Sequence, residues 1–162
     1  MMVYWKYLKY VFKHKWYVFL ECCKYGIIWR GVVHDLSKLL PSEFFSYARW
    51  FYDRPDEKLD QDKFKAAKRA YEFSWLWHLK RNKHHWQWFI LGFRDGKLDV
   101  FEIPMKYRRE MLADWRGVSR ALNKGYDNTR RWYEENKDKM RFGEDTKKWI
   151  EKELGVLKKR KF

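Results

Sequence analysis

Residues 34–52 read HDLSKLLPSEFFSYARWFY, and they contain both an end signal and a start signal for helices. Pro41 cannot continue a preceding helix because it lacks a backbone N–H group, and Ser42 is a favourable N-cap residue. We therefore expect one helix over residues 27–40 and a second helix from Glu43 to Tyr52.

Helical patterns continue on both sides of this junction. Apolar residues recur at helical spacing in five further segments, which are residues 3–25, 63–83, 104–123, 127–139 and 145–157. Asp95-Gly96 lies between two apolar runs and indicates a short hairpin within residues 88–103. The predicted fold is all-α: a single-domain bundle of about six to seven helices with at most one small β-hairpin. The domain is expected to span residues 1–157, and a basic tail, residues 158–162, follows it.

The chain is basic and rich in aromatic residues. Its 162 residues, 21% of them aromatic, suffice for one domain with a substantial core. The net charge of +15 favours polyanionic partners, such as nucleotides, nucleic acid or an anionic membrane surface. No signal peptide or transmembrane segment is expected, and the adjacent Cys22 and Cys23 form no disulfide framework. These features favour a cytoplasmic protein.

The histidines are few, and their order is informative. Imidazole and carboxylate groups are the usual protein ligands of zinc, manganese and iron. Helical spacing places His78, Asn82 and His85 on one stripe of the predicted fourth helix, and Glu110 and Asp114 on one stripe of the fifth. Convergence of such stripes in a bundle core builds metal sites in helical proteins, and burying these groups without an ion would be costly. The candidate metal ligands are His14, His34, Asp35, His78, His84, His85 and Asp114.

The same pattern suggests which residues would act in the hydrolysis of a phosphate ester. Asp35 and Lys38 are the candidate catalytic residues, because Asp35 could bridge two ions and Lys38 could hold a phosphate or a hydroxide. The candidate substrate-binding residues are Lys38, Asn82, Arg108, Arg109 and Arg116. The three arginines flank Asp114 in the sequence and could clamp phosphate oxygens. The cofactor would be one or two divalent metal ions, such as manganese, iron or zinc.

Some assignments have two interpretations at this point. Only one of His84 and His85 lies on the histidine stripe if the fourth helix continues that far. Glu43 could complement a helix dipole or act as a base. Several tryptophans could either fill the core or stack on a nucleobase; they are Trp75, Trp77, Trp86, Trp88 and Trp115.

The ordered pattern His14, His34-Asp35, Asp114 resembles the HD superfamily of helical metal-dependent phosphohydrolases. The run HDLSK, residues 34–38, is similar to the HDxxK form of the two-metal, phosphodiesterase-like branch. His78 and His84-His85 match the additional histidines of that branch, although they lie closer together than is usual there.

The whole chain also resembles an uncharacterised HD-like family that is common in phages and bacteria. The strings that carry this resemblance are HKWYVF (14–19), HDLSK (34–38), PSEFFSYARWFY (41–52), HLKRNKHHWQWF (78–89) and YRREMLADWRG (107–117). The resemblance implies an HD-domain-like helical fold and a metal-dependent hydrolase, located in the host cytoplasm if the protein is phage-encoded.

Two functions are therefore expected as alternatives. The first is a metal-dependent phosphohydrolase that acts on a nucleotide or another phosphate ester through a metal-activated water. The second is a basic nucleic-acid-binding or interaction protein, built on an HD-like scaffold with a structural metal.

Overall fold

A computed structural model describes residues 2–156 of the chain, so the predicted basic tail lies outside the described residues. Within this range the fold is all-α, as expected. The seven α-helices are α1 (Met2–Lys24), α2 (Ile28–Val33), α3 (Pro41–Tyr52), α4 (Gln61–Arg81), α5 (Met105–Leu122), α6 (Thr129–Asn136) and α7 (Glu144–Glu153). Short 3₁₀ helices occupy Leu36–Leu39, Trp86–Phe89 and Lys137–Lys139.

The expected hairpin is present. Strand β1 (Ile90–Gly92) pairs antiparallel with β2 (Leu98–Val100), and Gly96 adopts the positive φ of 83° that the turn requires. After the hairpin, the carboxylate of Glu102 accepts hydrogen bonds from the backbone N–H groups of Asp145 and Thr146, which ties this segment to the start of α7. No helix within residues 2–156 combines the length and apolar character needed to cross a bilayer.

Helices α1 and α5 form the centre of the bundle and pack closely along each other. Val18 and Cys22 of α1 are buried against Ala113 of α5. At Gly117 the helices approach so closely that an added Cβ would lie 3.1 Å from the backbone nitrogen of Val18, and closer still to its side chain. This close approach brings His14 of α1 next to Asp114 of α5.

Two apolar cores flank this central pair. One lies between α1 and α3, where Tyr7 and Val11 pack against Tyr47 and Ala48. The other lies between α5 and the C-terminal helices, and its buried members are Ile103, Met111, Leu112, Tyr133, Ile150 and Leu154. The two cores hold α1, α3 and α5 in fixed positions around the polar residues between them.

The single helix predicted over residues 27–40 is wrong, because the chain breaks at His34-Asp35. Helix α2 ends at Val33, His34 has a non-helical ψ of 128°, and Asp35 has a left-handed φ of 50° before the 3₁₀ helix begins. The ammonium group of Lys15 donates hydrogen bonds to the carbonyl of His34 and to that of Val32 (3.4 Å), which satisfies backbone groups released by the break. The break turns both His34 and Asp35 inward, which consecutive positions of a straight helix cannot do.

Two further boundaries differ from the prediction. Pro41 is itself the first residue of α3, so Ser42 lies in the first turn instead of at the N-cap. Helix α4 ends at Arg81, because the side-chain amide of Asn82 donates to the carbonyl of His78 over 2.8 Å and the backbone of Asn82 becomes extended. The proposed stripe that continued to His85 is therefore wrong, and the chain instead turns back toward the bundle.

Candidate metal centre

The structure brings the histidines and two aspartates together between α1, α4 and α5. Two groups of side chains each place one potential ligand atom per residue within 4.8 Å of the others, an arrangement that could hold a metal ion. The first group is His14, His34, Asp35 and Asp114, and the second is Asp35, His78, His84 and His85. Asp35 belongs to both groups. All seven candidate ligands therefore meet at one place.

In the first group, the Nε2 atoms face the carboxylates. His14 Nε2 lies 3.2 Å from Asp114 Oδ1, and His34 Nε2 lies 3.3 Å from both Asp114 Oδ1 and Asp35 Oδ2. Ligand atoms that share one ion at the usual zinc distance are about 3.0 to 3.5 Å apart. The spacing of these atoms therefore suits a common ion.

In the second group, Asp35 contributes its other oxygen. His78 Nε2 and His84 Nε2 each lie 3.5 Å from Asp35 Oδ1. His85 completes the group, with its ring centroid 4.2 Å from that of His84. Asp35 thus directs Oδ2 to the first group and Oδ1 to the second, which is the arrangement of a carboxylate that bridges two sites.

The Nδ1 atoms of three of these histidines, His34, His78 and His84, contact carboxylates from outside the two groups. Glu110 Oε1 lies 3.2 Å from His34 Nδ1 and 3.4 Å from His84 Nδ1. A carboxylate on Nδ1 orients the ring and leaves Nε2 free to bind a metal. His34, His84 and Glu110 also form a third potential ligand group, but it uses these same Nδ1 contacts, and we interpret it as support for the other two.

Glu43 plays the corresponding part for His78. Its Oε2 atom lies 2.9 Å from His78 Nδ1, and Ser37 Oγ donates to the same oxygen over 3.0 Å. Arg81 Nη1 donates to Glu43 Oε1 over 2.7 Å. Glu43 is fully buried, so its contacts favour a role in orienting His78 over either of the two roles considered from sequence.

Unpaired polar atoms concentrate in the centre. The buried atoms of the centre that lack a hydrogen-bond partner include Asp35 Oδ1, His14 Nδ1, and Nε2 of His84 and of His85. Two of them, Asp35 Oδ1 and His84 Nε2, lie 3.5 Å apart in the second ligand group. A buried unsatisfied polar group costs about 1–3 kcal/mol. An ion held by the second ligand group would remove part of that cost.

The two aspartates of the cluster carry the charge that ligands of a cation need, whereas for His34 the carboxylates of Asp35, Asp114 and Glu110 outweigh burial and raise the pKa of the imidazole well above its ordinary value. Burial alone would raise the pKa of Asp35, but His34, Lys38 and His78 hold it well below its ordinary value. For Asp114, hydrogen bonds from His14 and His34 likewise outweigh burial and lower the pKa. Both carboxylates are therefore ionised.

The side chain of His85 is uncharged, whereas that of Lys38 is positively charged. Burial, together with His84 and His78, lowers the pKa of His85 well below its ordinary value, so this imidazole is neutral, as a ligand must be. Burial opposes the charge of Lys38, but the carboxylate of Asp35 outweighs it and raises the pKa of the ammonium group. Lys38 Nζ lies 2.6 Å from Asp35 Oδ2, so a fixed positive charge stands beside the shared carboxylate.

The three arginines near Asp114 in the sequence do not join the cluster. Arg108 donates to the carbonyl of Ile103 and to Glu102, and Arg109 donates to the carbonyl of Tyr25. Arg116 donates to the hydroxyl of Tyr25 and to the carbonyl of Glu153. They project from other sides of α5 than Asp114 does, because each helical residue turns by about 100°. Their expected role as a phosphate clamp is therefore corrected: they attach neighbouring segments to α5.

Asn82 also has a different role from the one expected. Its amide nitrogen donates to Ser37 Oγ over 2.8 Å and lies 3.1 Å from His78 Nδ1. The side chain therefore supports the hydrogen bonds behind His78, which is not the substrate-binding role expected from sequence.

Sequence reasoning missed Arg30 and Arg81, the cations closest to the supporting carboxylates. Arg30 Nε donates to Glu110 Oε2 over 2.6 Å, and Arg81 contacts Glu43 as described. The helical spacing of Glu110 and Asp114 signalled a shared face of α5. No local pattern links Arg30 to Glu110, which is 80 positions away.

Two cavities adjoin the cluster. The larger has a volume of about 460 Å³, and both Asp114 and His85 line it. The smaller, of about 100 Å³, is lined by Lys38 and the tyrosines Tyr7, Tyr10, Tyr47 and Tyr71. Trp75 contributes to both walls. The ligand groups are therefore bordered by a cavity on the Asp114 side and by a smaller one on the Lys38 side.

Comparisons with known proteins identify a family but no activity. No match was found among the curated proteins or among the solved structures. The model of one family, described as a family of unknown function (DUF5662), matches residues 3–156, which is nearly the whole chain. The chain therefore belongs to the DUF5662 family.

Proposed function

We propose that this protein is a metal-dependent phosphohydrolase of the HD type. The observation that carries the proposal is the position of Asp35, whose two oxygens face two separate groups of ligand atoms. A carboxylate shared in this way, next to a lysine ammonium group, suits a site that binds one or two cations and an anionic substrate. The order His14, His34-Asp35, Asp114 supports the same proposal through its resemblance to the HD superfamily.

The residues suit a divalent transition metal. Imidazole nitrogens and carboxylate oxygens are ligands that zinc, iron and manganese accept. His14, His34, Asp35 and Asp114 would hold one ion, and Asp35, His78, His84 and His85 would hold a second. A divalent ion in this position supplies a water of lowered pKa and polarises a phosphoryl oxygen.

The openings beside Asp114 and Lys38 would admit the substrate. Asp114 keeps about a tenth of its side chain exposed and lines the larger cavity, so the first ligand group is open on that side. Lys38 has 14% of its side chain exposed, and its fixed charge can bind a phosphoryl oxygen. Glu43 and Glu110 would keep the histidine rings in position during the reaction.

The net positive charge of the chain also favours an anionic substrate. A net charge of +15 attracts anions and increases their rate of encounter with the protein. It does not select one phosphate ester over another, so the choice among them depends on the walls of the cavity.

The test is release of inorganic phosphate from a panel of nucleotides, sugar phosphates and alkyl phosphates, with manganese, iron or zinc added. The proposal expects turnover of at least one ester that requires metal and is lost in Asp35→Asn. Asp99→Asn, an exposed carboxylate on β2, is the matched control and should retain full activity.

Two outcomes would contradict the proposal. A wild-type protein that binds metal tightly and hydrolyses nothing in the panel would favour the alternative role of a structural metal. Nucleic-acid binding that falls steeply with salt and is unchanged by Asp35→Asn, with no hydrolysis, would favour the basic interaction module.

A further inference from the structure

The larger cavity borders the candidate metal centre. Asp114 belongs to the first ligand group and His85 to the second, and both line the cavity. Its volume of about 460 Å³ lies within the range of sites that enclose small ligands. A molecule that reaches the metal centre from this side must place its remaining part in the cavity.

Aromatic side chains dominate the walls. Four indole rings, those of Trp75, Trp86, Trp115 and Trp132, line the cavity. Trp115 and Trp132 are in edge contact, with centroids 5.3 Å apart. Methionine, valine and leucine side chains fill the spaces between them. Indole surfaces bind flat, apolar rings by stacking, and they bind sugars and alkyl chains less selectively.

The polar part of the wall is almost uncharged. It consists mainly of amides and hydroxyls: Gln87, Ser119, Asn123, Asn128, Thr129 and Asn136. Amide groups both donate and accept hydrogen bonds, so they can pair with the edge of a heterocyclic ring.

Cations are scarce in the cavity although the chain has 37 lysines and arginines. Among the described residues that line it, Lys139 is the one such side chain, and its ammonium group donates to Asn136 Oδ1 over 2.9 Å. A wall that bound phosphates or a nucleic-acid strand would need several cations. The cavity therefore suits the uncharged part of a substrate, with the phosphate located at the metal centre.

We propose that this cavity binds a planar, uncharged heterocycle with hydrogen-bonding edges, the chemistry of a nucleobase, and so selects nucleotides among phosphate esters. The inference rests on the proposed phosphohydrolase function, because it assigns the cavity to the non-phosphate part of the substrate. Trp132 provides a stacking surface and Asn128 provides an edge contact.

The test measures binding of nucleosides, which lack the phosphate, to the purified protein by titration calorimetry. Adenosine, guanosine, cytidine, uridine and thymidine are compared with ribose. At least one nucleoside should bind with a Kd below about 1 mM, and ribose should not. Trp132→Ala should weaken that binding about tenfold, as expected for the loss of one stacked ring.

Two further variants make the test specific. Trp29→Ala is the matched control, since Trp29 is 73% exposed on α2 and does not line the cavity; its nucleoside affinity should equal that of the wild type. Asn128→Ala covers the case in which Trp132→Ala does not fold, because the Asn128 side chain makes no capping hydrogen bond. It should weaken binding of the preferred nucleoside several-fold.

The outcomes separate this inference from the proposed function. The inference is overturned if no nucleoside binds, or if Trp132→Ala and Asn128→Ala bind nucleosides as tightly as the wild type. Metal-dependent hydrolysis of sugar or alkyl phosphates without nucleoside binding would overturn it and leave the phosphohydrolase proposal intact. Nucleoside binding that Trp132→Ala weakens, without hydrolysis of any nucleotide, would support the cavity assignment and contradict the phosphohydrolase proposal.

Discussion

Arg30 donates a hydrogen bond from Nε to Oε2 of Glu110 over 2.6 Å, and so joins α2 to α5 behind the histidines. The other oxygen of Glu110 lies next to the Nδ1 atoms of His34 and His84, which belong to different ligand groups. One supported carboxylate therefore orients a histidine in each group.

Glu110→Gln should lower metal affinity without removing a ligand. The amide cannot accept from both imidazoles as strongly as the carboxylate does, and loss of such outer hydrogen bonds typically costs 10- to 100-fold in affinity. The affinity is measured by competition with a chromogenic chelator. Glu134→Gln is the control, because Glu134 is exposed on α6 and pairs with Arg130 at the surface. Equal affinities for Glu110→Gln and the wild type would contradict the role of Glu110.

Lys38→Met should reduce catalysis and leave the metal bound. The ammonium group contributes charge beside Asp35 but no ligand atom, and removal of one such electrostatic contact costs roughly 10²- to 10³-fold in turnover. Metal content and kcat/KM are measured on the same preparation. Lys13→Met, at an exposed position of α1, should behave as the wild type. Loss of metal in Lys38→Met would show that Lys38 maintains the site and does not act on the substrate.

Gly117→Ala should destabilise the fold, although alanine is the better helix former. The new Cβ would overlap the side chain of Val18 and approach its backbone, so α1 and α5 must separate. Overpacking of this kind costs about 1–3 kcal/mol. The cost is measured as the difference between the free energies of unfolding of the variant and the wild type in urea. Gly92→Ala is the control, because its Cβ would make an ordinary contact 3.5 Å from Leu98. A stability equal to that of the wild type would indicate a looser contact between the two helices.

The two cysteines should differ in reactivity. Cys22 is fully buried, and burial raises the pKa of its thiol to about 12, so the thiolate is almost absent near pH 8. Cys23 is partly exposed. Ellman's reagent at pH 8 should therefore titrate one thiol per chain quickly in the native protein and both after unfolding. Two equally fast thiols in the native protein would contradict the packing of Cys22 between α1 and α5.

Periodicity in the sequence predicted the helices and the Asp95-Gly96 hairpin, because each is a local pattern. It did not predict the break at Asp35, since the backbone before Asp35 is held by a distant residue, Lys15, which donates to the carbonyl groups of Val32 and His34. It placed His85 on a helix that in fact ends at Arg81, where the Asn82 amide bonds back to His78.

The candidate metal ligands were predictable as a set because imidazoles and carboxylates are costly to bury singly. The arginines near Asp114 were misassigned because proximity in sequence was equated with a shared face of the helix. A rotation of about 100° per residue directs Arg108 and Arg116 to other sides of α5 than Asp114. Arg30 and Arg81 adjoin the supporting carboxylates through tertiary contacts that no short motif encodes.

The most direct test is the metal content of the purified protein beside Asp35→Ala, with Asp99→Ala as the control. The shared carboxylate predicts one or two ions per chain in the wild type and in Asp99→Ala, and loss of metal in Asp35→Ala. A wild-type protein that holds no metal after incubation with manganese, iron or zinc would contradict the proposed metal centre. An Asp35→Ala variant with undiminished metal would contradict the role of Asp35 as a shared ligand.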